Sequence, residues 1–495
     1  MDSITSIGQE PKYRKDANAL DPRSSFGTGQ SNYPTETVRE KGRTGQIDDL
    51  EHNGGPSPHQ HASQGGVDLE ENPFGHEDAN AEIKYQTMEW WHAGSLMIAE
   101  TISLGVLSLP AAVATLGLFP GILLMIVLGG ISTYTGYIIG QFYLAFPGIH
   151  TYADAAQLLG GRWAKEIMGV SQCLLLVFIM AAHVLSFSIM MNVLTEHGTC
   201  SIVFGFLGFA VSLALALKRQ MEKVAWLSVA SCVSVIVAVT VAIVGIAIEK
   251  PDAGNVVSVN HSTTLQTGMI AALQIILAFF GHAAFFTFCT EMKNPRDFPK
   301  ALVMMFTLAM IFYTTVGVVI YYYAGPSVLS PALGSASPLI SKIAFGLAAP
   351  TIVIAGVVNG HIACKYIWVR IWRSRPGAMN QKWGGPFWSW IAICSTLWLL
   401  SWVIAEAIPS FHLLLGFISA LFCGWFNYSL PSTFWLYMNR GKLWSTKTKA
   451  FLTVSNVLIW VMGAAICGLG LWASGTALAE GDGGASFSCA NNYNP

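Results

Sequence analysis

The chain has 495 residues, 53% of them hydrophobic and only 11% charged, with 27 Lys+Arg against 28 Asp+Glu. Soluble domains carry about 25% charged residues, so the composition excludes a soluble enzyme and indicates a polytopic membrane protein. The formal net charge of −1 leaves no basic excess for a nucleic-acid partner.

Residues 1–87 are rich in Gly, Pro, Asn, Gln and His and carry 8 Lys+Arg against 15 Asp+Glu. Such a segment cannot bury a core, and a disordered cytoplasmic tail is expected. It lacks the short apolar stretch of a cleavable signal peptide, so the first spanning helix itself directs insertion. Lys12, Lys15 and Lys41 in this tail suit ubiquitin-dependent trafficking machinery.

Beyond the tail, runs of roughly 20 apolar residues predict eleven transmembrane helices. They lie near 93–116, 120–145, 166–194, 201–217, 224–248, 268–291, 300–324, 343–372, 387–407, 410–436 and 450–474. The fourth is short and the eighth long, with Pro350 kinking it or starting its spanning part. The expected fold is all-α, with a transmembrane domain over 88–474 and a short extracytoplasmic tail over 475–495.

Two of these runs break in the middle. The first is interrupted at Ser103-Leu104-Gly105, between Glu100 and Pro110, and the sixth at Phe280-Gly281-His282. Unwound backbone persists at membrane depth only where protein or a wet cavity supplies partners. Breaks in corresponding positions of two halves point to a transporter's substrate site.

Positively charged loops stay on the cytoplasmic side. With the N-terminus inside, eleven spans place 25 of the 27 Lys+Arg there and leave only Lys250 and Lys342 outside. The C-terminus is then external. Trp90, Trp91, Trp163, Trp368, Trp372, Trp383, Trp388, Trp435 and Trp444 fall near the inner boundary, as an aromatic belt does. Asn260-His261-Ser262 is a sequon in an external loop, where Asn260 can accept a glycan. Seven of the nine cysteines lie in spans as apolar packers. The other two, Cys200 and Cys489, face the oxidising side and are expected to form a disulfide.

Ser103-Leu104-Gly105-Val106-Leu107-Ser108-Leu109-Pro110 resembles the GxGxLxLP signature of the amino acid/auxin permease family, a branch of the APC superfamily. Phe280-Gly281-His282, Glu291-Met292-Lys293-Asn294-Pro295 and Phe298-Pro299-Lys300-Ala301 resemble the same family's sixth helix and following loop. Within the family the chain is most similar to fungal neutral amino acid permeases. The resemblance covers about 88–474. It implies the APC/LeuT-like fold, with helices one to five and six to ten as inverted repeats and an extra terminal helix. It departs from the signature at Ser103, which replaces the first glycine and tightens the loop.

The residues read alone also favour an amino acid. A half-helix beginning just after Gly105 presents free N–H groups and the positive end of its dipole to a carboxylate. The preceding half-helix ends in free carbonyls near Glu100, Thr101 and Ile102 that suit an ammonium. The candidate substrate contacts are therefore Thr101, Ser103, Leu104, Gly105 and Val106 in the first break and Phe280, Gly281 and Phe285 in the second, with Asn359 beside the eighth-helix glycines. Phe279, Phe280, Phe285 and Phe286 crowd the sixth helix, which carries no unpaired charge at its centre, so a neutral, apolar or aromatic substrate is expected.

For the coupling ion, relatives of this fold hold sodium between first-helix carbonyls and eighth-helix hydroxyls. Here Ile352–Trp368 contains no Ser or Thr, which favours a proton over sodium. No metal or organic cofactor is expected. The titratable groups at membrane depth are Glu100, His183, His282 and His361, of which Glu100, His282 and His183 are the proton-coupling candidates. An ionised carboxylate at mid-bilayer costs about 2.5–3.5 kcal/mol, so Glu100 should be protonated, paired or facing water. A nutrient sensor on the same fold and a sodium-coupled symporter remain as alternatives. No HExxH, no credible GxSxG set and no room for a catalytic domain speak for an enzyme. The fungal resemblance favours the plasma membrane over the vacuole.

Overall fold

A computed structural model of the chain describes residues 88–146, 148–218, 224–372, 383–481 and 484–493. The expected tail disorder, with Lys12, Lys15 and Lys41, lies outside the described residues, as do Arg219, Lys223, Arg373, Arg375 and Lys382.

The first apolar run forms α1 (Trp90–Thr101) and α2 (Leu109–Leu116), bent by 45° across their junction. Then come α3 (Leu118–Ala145), α4 (Tyr152–Thr195), α5 (Ser201–Ala216) and α6 (Val224–Glu249). The sixth run is again divided, into α7 (Leu265–Ala278) and α8 (Phe285–Glu291). The chain continues through α9 (Phe298–Ala324), α10 (Pro338–Trp372), α11 (Gly385–Ala407), α12 (Phe411–Met438) and α13 (Lys447–Ala479).

Among the described residues nine helical segments are long and apolar enough to cross a membrane, and α1 with α2 supplies a tenth. The predicted fourth span is the 16-residue α5. At 1.5 Å per residue it reaches about 24 Å, short of the ~30 Å hydrocarbon core, so length alone does not qualify it. The chain is an all-α polytopic membrane protein.

Local chemistry explains where the helices stop. Thr151 and Asp154 close a capping box at the start of α4. Gly161, at φ 71°, then interrupts α4 and separates a short leading helix from the spanning part. α10 runs helically through Pro350, which does not start a new segment. Within α12, residues Ser419–Ser429 form wide π-type turns. Gly424 and Gly463 let this segment approach α13 backbone to backbone: a Cβ on Gly424 would lie 2.6 Å from the Gly463 carbonyl.

Two expectations need correction. Trp368 and Trp435 are buried and do not belong to a lipid-facing belt, because Trp368 donates to the Pro386 carbonyl and Trp435 packs in the core. α13 extends to Ala479, past the expected boundary at 474, and residues 484–493 fold back against the bundle.

Candidate functional site

The first break is narrower than expected and lies slightly earlier. α1 ends at Thr101; Ile102 (φ −81°, ψ 88°) and Ser103 (φ −135°, ψ −136°) leave the helix, and a 3-10 turn resumes at Leu104–Ser108. The free N–H groups therefore begin at Leu104 and not after Gly105. Pro110 suits the start of α2: it has no N–H to donate and is favoured in a helix's first turn.

One carbonyl expected to be open is occupied. Tyr313 on α9 donates from its hydroxyl to the Thr101 carbonyl at 3.0 Å, fixing the end of α1 to a neighbouring helix. Thr101 Oγ1 contacts Met305 Sδ at 3.5 Å. The Gly105 carbonyl accepts from Ser108 Oγ at 2.9 Å.

In the second break α7 ends at Ala278. Gly281 (φ −160°, ψ −7°) leads into a 3-10 turn, His282–Ala284, and α8 starts at Phe285. The two breaks touch. A Cβ on Gly105 would lie 3.0 Å from Ala278 Cα, and one on Gly281 would lie 2.9 Å from Thr101 Oγ1. Gly105 thus serves a close approach of main chain to main chain, and Gly281 an approach of main chain to the Thr101 hydroxyl.

His282 is fully buried, with Nε2 3.0 Å from the Ser132 carbonyl and 3.0 Å from Thr135 Oγ1 on α3. A carbonyl only accepts, so Nε2 carries the proton and Nδ1 is left as a bare acceptor. That Nδ1 is buried and has no partner among the described residues. The same holds for Ser103 Oγ in the first break and for Gln274 Oε1, one turn before Ala278 on the same face of α7. Both amide atoms of Asn427 are also buried and unpartnered, in the π segment of α12 that packs against the His282–Ala284 turn. Buried polar groups are nearly always paired, so orphans at both breaks are candidates to meet a bound ligand.

Of the phenylalanines, Phe279 packs on Phe306 and Tyr313, and Phe286 on Phe142, Tyr152 and Phe434. Phe285 lies against Phe298 and under His282, with its ring edge 3.4 Å from a Cβ on Gly281. Only Phe280 of the four is incompletely buried. Leu104 and Val106 are buried in the core. Glu100 is half-buried and forms no ion pair among the described residues.

One candidate joins two helices, and another bonds within its own. His183 places Nδ1 2.9 Å from the Ile352 carbonyl, and its Cβ fills the space over Gly356, joining α4 to α10. Asn359 donates to the Ala355 carbonyl of its own helix. His361 stands edge-on to Trp390. Sequence reasoning missed Tyr313, Gln274, Ser132, Thr135 and Asn427. A lone amide in an apolar run, as at Gln274 and Asn427, was the available signal; nothing local distinguishes Tyr313.

On the side expected to face outward, Cys200 and Cys489 are disulfide-bonded. Asn260 Nδ2, the atom that would carry a glycan, donates to the Thr115 carbonyl at 3.0 Å near the end of α2, and attachment would leave it one N–H for that bond.

The family model described as "Transmembrane amino acid transporter protein" matches residues 86–476. The chain is 36% identical over 409 residues to the N amino acid transport system protein of Neurospora crassa, covering 80% of this chain and 86% of that one. It is 23% identical over 413 residues to amino acid transporter AVT1H of Arabidopsis thaliana, covering 81% and 92%. Among solved structures, a manganese transporter mutant of Eremococcus coleocola superposes with a TM-score of 0.52 at 12% identity, covering 81% of this chain and 92% of that chain. This last similarity concerns the fold alone.

Proposed function

Because the chain belongs to the transmembrane amino acid transporter family and carries amino acids across a lipid bilayer, we propose that it is a proton-coupled symporter of neutral amino acids. The observation that carries this reading is the contact between two broken helices around buried, unpartnered Ser103 Oγ, Gln274 Oε1 and His282 Nδ1.

A zwitterion brings one anionic and one cationic group on a single carbon. The N–H groups opening the Leu104–Ser108 turn attract its carboxylate through both hydrogen bonding and the dipole. Its ammonium finds acceptors at Ser103 Oγ, Gln274 Oε1 and main-chain carbonyls near Ile102. Phe280 faces the side chain, with Phe285 behind Gly281, and this aromatic wall suits an apolar or aromatic group. Transport then follows from the first half-helix pair bending at its break while the second holds its position and the substrate lies between them.

For coupling, Glu100 lies on α1 three residues before Ser103, and His282 offers a bare Nδ1 at the second break. Glu100 is the group assigned to gain and lose the transported proton, and His282 positions the second break through α3. His183 has a packing role in this scheme. Thr351, one residue before the stretch that lacks hydroxyls, donates to the Ser231 carbonyl on α6. The N-terminus is assigned to the cytoplasm, the C-terminus to the exterior, and the protein to the plasma membrane.

Radiolabelled uptake into proteoliposomes tests the reading. Uptake of a neutral amino acid should acidify the interior, stop with a protonophore and survive replacement of sodium by choline. Sodium dependence that persists after collapse of the proton gradient would reverse the coupling assignment.

A further inference from the structure

The segment 484–493 crosses the end of the bundle assigned to the exterior and contacts helices far apart in sequence. Ser486 Oγ donates to the Ala407 carbonyl and Phe487 N–H to the Glu406 carbonyl, at the end of α11. Cys489 is bonded to Cys200, 289 residues earlier, at the start of α5. Ser201 Oγ donates to the Ala490 carbonyl. Asn492 accepts from Asn192 Nδ2 at 2.7 Å and donates to Ser188 Oγ at 3.1 Å, both on α4. The segment is therefore held covalently at one point and by buried amides at another.

Its last described residue reaches a different element. Tyr493 donates from its hydroxyl to the Gly334 carbonyl at 3.0 Å, and its ring leaves no room for a Cβ there, which would lie 2.7 Å away. Gly334 belongs to the turn Ala332–Ser335 between α9 and α10. In that turn Ala332 and Leu333 are buried, and it packs directly on the Leu104–Ser108 turn and on α2. The turn covers the first break from this side.

We propose that residues 484–493 are a strap, anchored by the Cys200–Cys489 bridge, through which Tyr493 holds the Ala332–Ser335 turn closed over the first break. Opening the site to this side requires Tyr493 to release Gly334, while the bridge keeps Tyr493 close enough to re-form the contact. A small cavity of about 60 Å³, lined by residues of mixed character that include Ser201, Glu406, Phe411, Ser488 and Asn492, lies beneath the strap. The inference rests on the transport reading, which makes the first break a substrate site, and on the outward assignment of this end.

The test is the rate at which a membrane-impermeant thiol reagent, applied outside intact cells, labels Ala332→Cys. Ala332 is 1% exposed, so labelling reports opening of the turn. The background carries Cys200→Ser and Cys489→Ser, or keeps the bridge, and is compared with and without Tyr493→Phe. Losing one hydrogen bond should speed labelling about five-fold with the bridge intact, and losing the bridge as well should speed it further. Labelling that Tyr493→Phe and bridge removal leave unchanged overturns the strap, and so does labelling seen only after permeabilisation.

If Ala332→Cys does not reach the membrane, Tyr493→Phe alone serves. A larger open fraction lowers the half-saturating external concentration of a radiolabelled neutral amino acid by up to about five-fold, and an unchanged value overturns the proposal. Uptake in the unaltered chain separates the two failures, because its absence sinks the transport reading whatever the strap does.

Discussion

The two breaks differ in how they are held. The first bends the chain by 45°, uses no glycine at the unwound residues Ile102 and Ser103, and has its Thr101 carbonyl tied to Tyr313. In the second, α7 and α8 stay within one nearly continuous span, and the break turns on Gly281 and a histidine tethered to α3. A break made by main-chain geometry, whose unwound residues Ile102 and Ser103 lie beyond the Thr101 ties to α9, is suited to bending. A break whose side chain is bound twice to a neighbouring helix is suited to holding position. The first is therefore assigned the moving, proton-linked role and the second the fixed one.

The largest effect should come from separating coupling from binding. Glu100→Gln should collapse accumulation while leaving exchange within about two-fold, because one charge moved through 100 mV supplies about 2.3 kcal/mol, roughly fifty-fold in concentration ratio. His282→Gln should lower the rate but preserve the ratio. Equal loss of accumulation and exchange in Glu100→Gln would give both breaks the same structural role.

Next in size is Gly105→Ala. Its methyl would lie 3.0 Å from Ala278 Cα, which cannot rotate away. Overpacking costs about 1–3 kcal/mol, so initial uptake should fall about twenty-fold with normal surface expression, read by biotinylation.

Gly281→Ala should be milder, about five-fold, since its methyl meets the Thr101 hydroxyl and not backbone. Adding Thr101→Ala should restore part of the uptake. A double variant as slow as the sum of the two would show that the breaks do not meet where the close approach places them.

The smallest effect belongs to Tyr313→Phe, which removes the cross-helix donor to the Thr101 carbonyl and leaves it only the local Ser103 N–H. A net hydrogen bond is worth about 0.5–1.5 kcal/mol, so uptake should change about three-fold and thermal stability in detergent should fall slightly. No change in either would remove the tie that distinguishes the first break.

Much of this was legible because helix breaking is local. Pro110 and Gly281 sit in runs otherwise apolar enough to span, so the interruptions could be read to within two residues. The one-residue offset at the first break arises because Leu104 resumes as a 3-10 turn, which needs fewer N–H partners than an α-helix and can begin before the glycine. The cysteines off the spans were legible too, since just two of the nine lie there. His183 was not, because a polar residue in an apolar helix can face a site or a neighbouring helix, and only the packing of α4 on α10 decides which.

The amino-acid order alone determined that this chain lives in a bilayer, where its helices run and where two of them fail, since apolar length and missing donors are properties of a few consecutive residues. Tertiary structure decided which polar atoms stay unsatisfied around those failures. It brought Tyr313 to the Thr101 carbonyl, Thr135 to His282 and Tyr493 to Gly334, pairs separated by 212, 147 and 159 residues. Contacts across such distances depend on how whole helices pack, and no local pattern of residues encodes them.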